Sequence, residues 1–581
     1  MTGQIMNGFL LGGFSRKSNI EHFDFIEYLY FPETAQPCVL LKSEAQDDLS
    51  YRILCYSSDT HKLFIKNDSA YLVLCLGTYL ENQHDLAETV KNFYTSGNIS
   101  KIKEINGIFS TLIIDKTNNK IGLFTDRLGT IPIYYHISAD TIFFSTELKG
   151  ILAYPFFVPK INQVILFELF HAGLIHTPDT LIEGISSIGT TNALFYNGKM
   201  TLQNTVSSPC KDPDFKPSTN TMLDHLTTAI EKNIKGNKEI AVMCSGGFDS
   251  SLITALLNRV TDKKINLFTL VTDKSNDEYQ NTFRLQGLFN SQNYYFQPTS
   301  LNFLTHIQDS IWRGESEAVG TLSVNIALEY AFTKFTEHAT TVFTGDAYMT
   351  TPGNAKQSPA FYAHNYGILD LEMTKYLLQN KHATMLHYFT KIKKIIYADD
   401  KYISHKRNRL ETRALVIGVI NGKIRMSVNR RQQFQFPFMD ADFIHYIDQI
   451  QFNIPQEGDY RSLMNKMTET HHLLPPHTLL NTKSWMPSLM NSLDQLGILN
   501  DFINIIQAPT SLCKTLFGDK IATVLQTLAL AQKHKFIMTL YYLEIFHDLF
   551  IIQQNKILNK LKSKLQIQFC VKIEDCKNEA I

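Results

Sequence analysis

The chain runs to 581 residues, beyond the roughly 250 to 300 over which a single hydrophobic core usually grows, so more than one domain is expected. Apolar residues make up 44% and charged residues 19%, which suits globular domains, and a formal net charge of zero argues against a broad nucleic-acid-binding surface. The eight cysteines form no CxxC pair and no zinc-spaced cluster. With no basic signal segment and no apolar run near the ~18 to 20 residues of a membrane span, a soluble, cytoplasmic protein with reduced thiols is expected.

The first two hundred residues read as strands. Tyr71 to Gly77, Gly107 to Asp115, Lys120 to Asp126 and Thr141 to Ser145 are β-rich runs closed by Gly, Asn and Asp turn signals, with a helix from Leu86 to Thr95. This predicts layered sheets in an α+β domain. Asn204 to Asn220 is rich in Ser, Pro and Asp and lacks an apolar period, which marks a linker.

Ile240 to Cys244 then reads as a buried strand and Ser250 to Arg259 as a helix, with Ser245-Gly246-Gly247-Phe248-Asp249 between them. Two glycines let bare amide groups approach a ligand, and the helix offers its positive N-terminal end to an anion. This is a phosphate cradle, although without the Gly-Lys-Ser/Thr ending of a Walker loop. Beside a polyphosphate, Asp249 would hold Mg²⁺ through shared oxygen ligands. Downstream, strands at Ile265 to Val271, Tyr294 to Phe296 and Thr341 to Asp346 alternate with helices at Tyr279 to Phe289 and Thr321 to Thr336. Such alternation predicts a parallel sheet with ligands at the carboxyl ends of its strands, placing Ser245 and Gly345 at one sheet edge. The chain beyond residue 400 is mostly helical by pattern, and its last eighty residues are amphipathic helices, among them Ile551 to Leu565.

The Ser-Gly-Gly-x-Asp-Ser stretch resembles the pyrophosphate loop of N-type ATP pyrophosphatases. Upstream, Ile105-Asn-Gly-Ile-Phe, Thr125-Asp-Arg-Leu-Gly-Thr-Ile-Pro-Ile-Tyr-Tyr135 and Phe144-Ser-Thr-Glu-Leu-Lys-Gly150 look like ordered landmarks of the glutaminase-like domain of the asparagine synthetase B family. Leu166 to His176, Arg430-Arg-Gln-Gln-Phe-Gln-Phe-Pro-Phe-Met-Asp440 and Gly458 to Met467 continue that likeness. The resemblance implies an Ntn-hydrolase-like domain over residues 1–204, a linker over 205–220, an ATP pyrophosphatase domain of HUP-like fold over 221–500, and a helical extension over 501–581. It also implies ATP and Mg²⁺ as cofactors. Family glutaminases use an N-terminal cysteine, and Thr2 or Asn7 stands at the equivalent places here. The first domain is therefore expected to be inactive, with a Thr2 nucleophile as the alternative.

By the same resemblance Cys244, Ser245, Gly246, Gly247, Asp249, Ser250, Leu270, Thr344 and Gly345 would bind the nucleotide, and Arg461, Gln433 and Lys483 would take the catalytic positions. The family's Ser-Gly-Asp-Gly-x-Asp-Glu pattern reads Thr344-Gly-Asp-Ala-Tyr-Met-Thr-Thr-Pro-Gly353 here. An ungapped match puts Met349 and Thr350 at the acidic pair; a two-residue deletion, the favoured match, makes Asp346 the metal ligand beside Asp249. Arg461 replaces a lysine and keeps its charge, whereas Gln433 replaces a glutamate and cannot act as a base. Three reactions fit the resemblance: asparagine synthesis, β-lactam closure, and macrolactam formation by lasso-peptide cyclases. The last, expected here, implies a precursor-peptide substrate and a leader-binding protein and peptidase as partners, with no nucleic acid and no membrane. A non-catalytic scaffold that binds peptide or nucleotide is the remaining alternative.

Overall fold

The computed structural model describes residues 9–15, 38–42, 50–56, 62–79, 85–154, 157–189, 192–205, 212, 214–234, 239–271, 277–296, 300–315, 341–346, 368–378, 381–397, 420–428, 433–453, 460–475 and 499–553. The expected helix at Thr321 to Thr336, Lys483, Met349, Thr350 and most of Ile551 to Leu565 lie outside them.

Two six-stranded antiparallel sheets build the N-terminal part. The first contains β1 (Phe9–Ser15), β2 (Cys38–Lys42), β3 (Ser50–Tyr56), β8 (Tyr134–Ser138), β9 (Thr141–Ser145) and β10 (Ser186–Ser187), in the order β10-β8-β9-β1-β3-β2. The second contains β4 (Lys62–Asn67), β5 (Tyr71–Tyr79), β6 (Gly107–Asp115), β7 (Lys120–Thr125), β11 (Asn192–Tyr196) and β12 (Met200–Asn204), in the order β12-β11-β7-β6-β5-β4. Side chains of a strand alternate between its faces, and β5 shows both faces buried. Leu72, Leu74 and Leu76 enter the core between the sheets with Leu10, Phe14 and Ile53, while Val73 and Cys75 pack beneath helix α1 (Leu86–Thr95). Asp85 caps α1 by accepting from Ala87 N at 2.9 Å, and Leu86, Ala87 and Val90 form its buried stripe.

The outer face of the first sheet is covered by helices, α2 (Leu148–Leu152) and α3 (Leu166–Ala172), and by the last helices of the chain. Phe170 of α3 meets Phe517 and Phe536 at 5.6 and 5.9 Å between ring centroids. The helical segment after residue 500 thus shares one core with the N-terminal sheets.

Helix α4 (Thr219–Ile234) starts inside the expected linker and opens the C-terminal part. Its five-stranded sheet is wholly parallel, in the order β15-β14-β13-β16-β17. The strands are β13 (Ile240–Met243), β14 (Ile265–Leu270), β15 (Ser291–Phe296), β16 (Thr341–Thr344) and β17 (Gln433–Gln435), with helices α5 (Phe248–Val260) and α6 (Asp277–Leu288) among the crossovers. A helix absent from the sequence reading, α7 (Ser300–Gly314), follows β15. Chain order runs outward from β13 on both sides, so the crevice beyond its carboxyl end is the topological switch point where ligands bind in open parallel sheets.

Candidate active site

The Ser245-Gly246-Gly247 loop lies at that switch point. Cys244 is buried and anchors the loop: its N–H donates to Phe268 O at 2.8 Å, and its carbonyl accepts from Thr269 Oγ1 at 2.8 Å. Gly246 takes φ +84°, a conformation glycine adopts without strain, and its carbonyl accepts from Asn281 Nδ2 at 3.4 Å. Gly247 is the N-cap of α5, whose N-terminal end, with no side-chain cap hydrogen bond, lies at the crevice. Ser245 Oγ accepts from Gly247 N at 3.2 Å, while the Ser250 and Ser251 hydroxyls donate back to Gly247 O at 3.2 and 2.7 Å. The loop is shaped by its own serines, with Ser245 exposed and Ser250 buried.

β16 brings the second segment alongside. Met243 and Thr344 are paired, so Cys244 and Gly345 leave the sheet side by side, as expected. Gly345 has to be glycine: a Cβ there would stand 2.8 Å from both Asp249 C and Ser250 N. The close approach sets Asp249, in the first turn of α5, next to the segment carrying Asp346. Thr344 Oγ1 donates to the Asp346 carboxylate, and Asp346 N donates to Thr344 Oγ1 at 3.3 Å. Leu270 ends β14 at the same edge, half-buried.

Two further expected site residues stand on later elements. Gln433 begins β17 and is paired with Thr341, itself opposite Ile240, so it lies at the amino ends of the strands and not with the loop. Arg461 is the second residue of α12 (Tyr460–Thr470). Among the described residues no group of three or more His, Cys, Asp or Glu could hold a metal. Two hard carboxylates, Asp249 and Asp346, fit a Mg²⁺ ion that takes its remaining ligands from nucleotide phosphates and water.

One charged group beside Asp346 escaped the sequence reading. Lys423, on helix α10 (Asn421–Val428; α8, Leu371–Leu377, and α9, Lys381–Tyr397, precede it), makes an ion pair with Asp346 and donates to Thr344 Oγ1 at 3.4 Å. Its side chain is 6% exposed against 24% for Asp346. The one signal in the sequence is a pair of charges, Lys423 and Arg425, shortly after the apolar run Ala414 to Ile420.

Arg425 ties this helix to the N-terminal part. It donates to Glu315 Oε2 at 2.7 Å, to Gly314 O at 2.8 Å and to Tyr134 Oη at 3.0 Å. Glu315 also accepts from Leu148 N, Lys149 N and Lys149 Nζ at 2.8, 3.0 and 2.6 Å. Burial pushes the Glu315 carboxyl up, but Lys149 and Arg425 more than offset this and hold it below the ordinary carboxylate range. A second joint pairs Asn106 with Asp440: Asn106 Nδ2 donates to Asp440 Oδ2 at 2.8 Å, and Ala441 N donates to Asn106 Oδ1 at 3.2 Å. Asp440 also caps helix α11 (Ala441–Asn453), accepting from Asp442 N and Phe443 N. Arg127 pairs with Asp448 of the same helix. The thiols of Cys55, Cys75, Cys244 and Cys513 are buried and outside any disulfide, and no described helix is long and apolar enough to cross a membrane.

Comparison with known proteins places this geometry. Residues 77–205 match a glutamine amidotransferase domain and residues 221–347 match asparagine synthase. The chain is 27% identical over 237 residues to asparagine synthetase (glutamine-hydrolyzing) 3 of Bacillus subtilis, covering 39% of this chain and 38% of that protein. A Methanocaldococcus jannaschii relative carrying a provisional form of the same name is 25% identical over 235 residues, covering 39% of this chain and 45% of its own. A shorter match, 32% over 68 residues, joins 12% of this chain to 9% of asparagine synthetase (glutamine-hydrolyzing) 2 of Bacillus subtilis. The chain therefore spans under half the length of these relatives. By these matches the chain is similar, in order, to a glutamine amidotransferase domain and an asparagine synthase domain.

Proposed function

We propose that this protein is an AMP-forming, ATP-dependent carbon–nitrogen ligase. The observation that carries the reading is the loop at the β13 switch point, where an uncapped helix N-terminus and two adjacent acidic residues, Asp249 and Asp346, meet inside the segment matched to asparagine synthase. Ser245, the Gly246 and Gly247 amides and the α5 terminus hold the pyrophosphate portion of ATP, with Cys244, Ser250, Leu270, Thr344 and Gly345 shaping the pocket. Asp249 and Asp346 hold Mg²⁺, which supplies Lewis-acid charge neutralisation to the phosphates. A substrate carboxylate oxygen attacks the α-phosphorus and the bond to pyrophosphate breaks. Arg461 neutralises charge at that step, with Lys483 as a further phosphate contact. An amine then attacks the acyl carbon, AMP leaves, and the amide forms with loss of the amine proton.

The finer reading is macrolactam formation on a precursor peptide, as in lasso-peptide cyclases, with a leader-binding protein and a peptidase as partners in the cytoplasm. Its support is chemical. Neither Gln433, at the amino end of β17, nor Arg461 can serve as a general base, so the site works by holding amine and acyl-adenylate together, and a tethered amine gains most from that. The test is pyrophosphate release with a synthetic leader-plus-core peptide compared with free aspartate and ammonia. Release that requires the peptide supports the cyclase; release with aspartate and ammonia returns the protein to asparagine synthesis. ATP binding without release under either condition makes it a scaffold.

A further inference from the structure

The ion pair between Lys423 and Asp346 stands at the nucleotide edge of the sheet, not in the core. Lys423 reaches it from a helix that packs against β17 and α7 and is fixed two residues on by Arg425, so its ammonium arrives on a rigid support. Its partners Asp346 and Thr344 belong to the segment immediately around Gly345, which touches Asp249 and Ser250. A buried lysine held only by carbonyls would be a fixture of the fold. Here the principal partner is a quarter-exposed carboxylate on a turn, and it is the same carboxylate that suits a divalent cation.

We propose that Lys423 is a polyphosphate-binding residue whose ammonium is held on Asp346 and passes to a phosphate oxygen of ATP when a nucleotide-borne Mg²⁺ takes that carboxylate. The inference rests on the ligase reading and deepens it. The exchange conserves charge: Asp346 trades one cation for another, and the lysine trades one anion for another. It makes binding of the nucleotide and binding of the metal mutually dependent, because neither partner of the pair is left buried and unpaired. It also supplies the lysine that the loop lacks by comparison with Walker-type sites, delivered from a distant helix rather than from the loop itself.

The experiment is calorimetric titration of the full chain with ATP and with inorganic pyrophosphate, each with and without Mg²⁺, for the wild type, Lys423→Gln, Lys423→Arg and Asp346→Asn. Loss of a charge-assisted hydrogen bond predicts a roughly 10- to 100-fold weaker affinity of Lys423→Gln for Mg·ATP, largely restored in Lys423→Arg. Asp346→Asn releases the lysine, so pyrophosphate without Mg²⁺ binds this variant several-fold more tightly than the wild type and its Mg²⁺ dependence falls. Folding is checked by circular dichroism. If Lys423→Gln does not fold, Asp346→Asn decides alone: unchanged metal-free pyrophosphate affinity overturns the exchange. A folded Lys423→Gln that binds Mg·ATP like the wild type also overturns it, leaving the pair a structural counter-charge. Failure of the wild type itself to bind Mg·ATP overturns the ligase reading and this inference together.

Discussion

Two buried lysines of this protein are held in opposite ways. Lys103, in the N-terminal part, spends its three donors on Thr125 O, Thr125 Oγ1 and Asp126 O at 2.9, 3.0 and 3.0 Å, and burial pulls its pKa down to about 8. The adjacent Asp126 is likewise filled, accepting from Leu128 N, from Thr130 N and Oγ1, and from Phe109 N. Nothing in that arrangement can be exchanged without unmaking the loop. Lys423 is equally buried, yet its main partner is a partly exposed carboxylate beside the phosphate loop. Burial alone therefore does not separate scaffold from site; whether the partners are fixed backbone groups or a replaceable ion does.

That contrast predicts which changes affect stability and which affect binding. The largest effect on stability is expected for Glu315→Ala, which strands Arg425 and Lys149 in a buried setting and should cost about 3 to 5 kcal/mol, measured by chemical denaturation. Asn106→Ala is next, at about 1 to 2 kcal/mol, since it opens the joint to Asp440 and leaves buried groups without partners. Asn106→Ala, remote from the Lys423 helix, should not change the affinity for inorganic pyrophosphate by more than about twofold if locked groups serve only the scaffold, provided that the variant is assayed below its melting temperature.

The smallest effect concerns acid. Asp179 is pushed up by burial, but Lys391 and His387 more than offset this and lower it from its ordinary 3.8. Glu168, buried beside His176 and Lys391, is lowered from 4.5 in the same way. A carboxylate depressed in the folded state contributes stability above its unfolded pKa and loses it as pH falls through the folded value. Melting temperature should thus fall as pH drops from about 4.5, and Asp179→Asn, already lacking the charge, should fall less, so that the two curves converge at low pH.

Much of the fold was legible because local patterns and tertiary structure agree. The helix at Leu86–Thr95 and the strands at Gly107–Asp115 and Thr141–Ser145 stand where period and turn signals put them. The phosphate loop was legible for the same reason, a strand, two glycines and a helix in immediate succession. The landmark motifs carried family resemblance without their role. Asn106, Arg127 and Lys149 turn out to be the residues that dock the first part on the second, meeting Asp440, Asp448 and Glu315. Such pairings join positions 166 to 334 residues apart, and no local pattern reports them. Lys423 was missed on the same ground, since 77 residues separate it from Asp346. The position of Gln433 level with Thr341 was not legible, because the register of β17 is decided by the sheet and not by the motif.

The central claim is that the loop at β13 supports reversible adenylation of a carboxylate. It is tested most directly by exchange of labelled pyrophosphate into ATP, with Mg²⁺ and either the peptide or aspartate present, in the wild type and in Asp249→Ala. The account predicts carboxylate-dependent exchange that falls at least about 100-fold in the variant, the loss of several kcal/mol of metal-borne charge stabilisation, while its melting temperature stays near that of the wild type. Exchange that persists in Asp249→Ala, or that proceeds at the same rate with no carboxylate present, would contradict it.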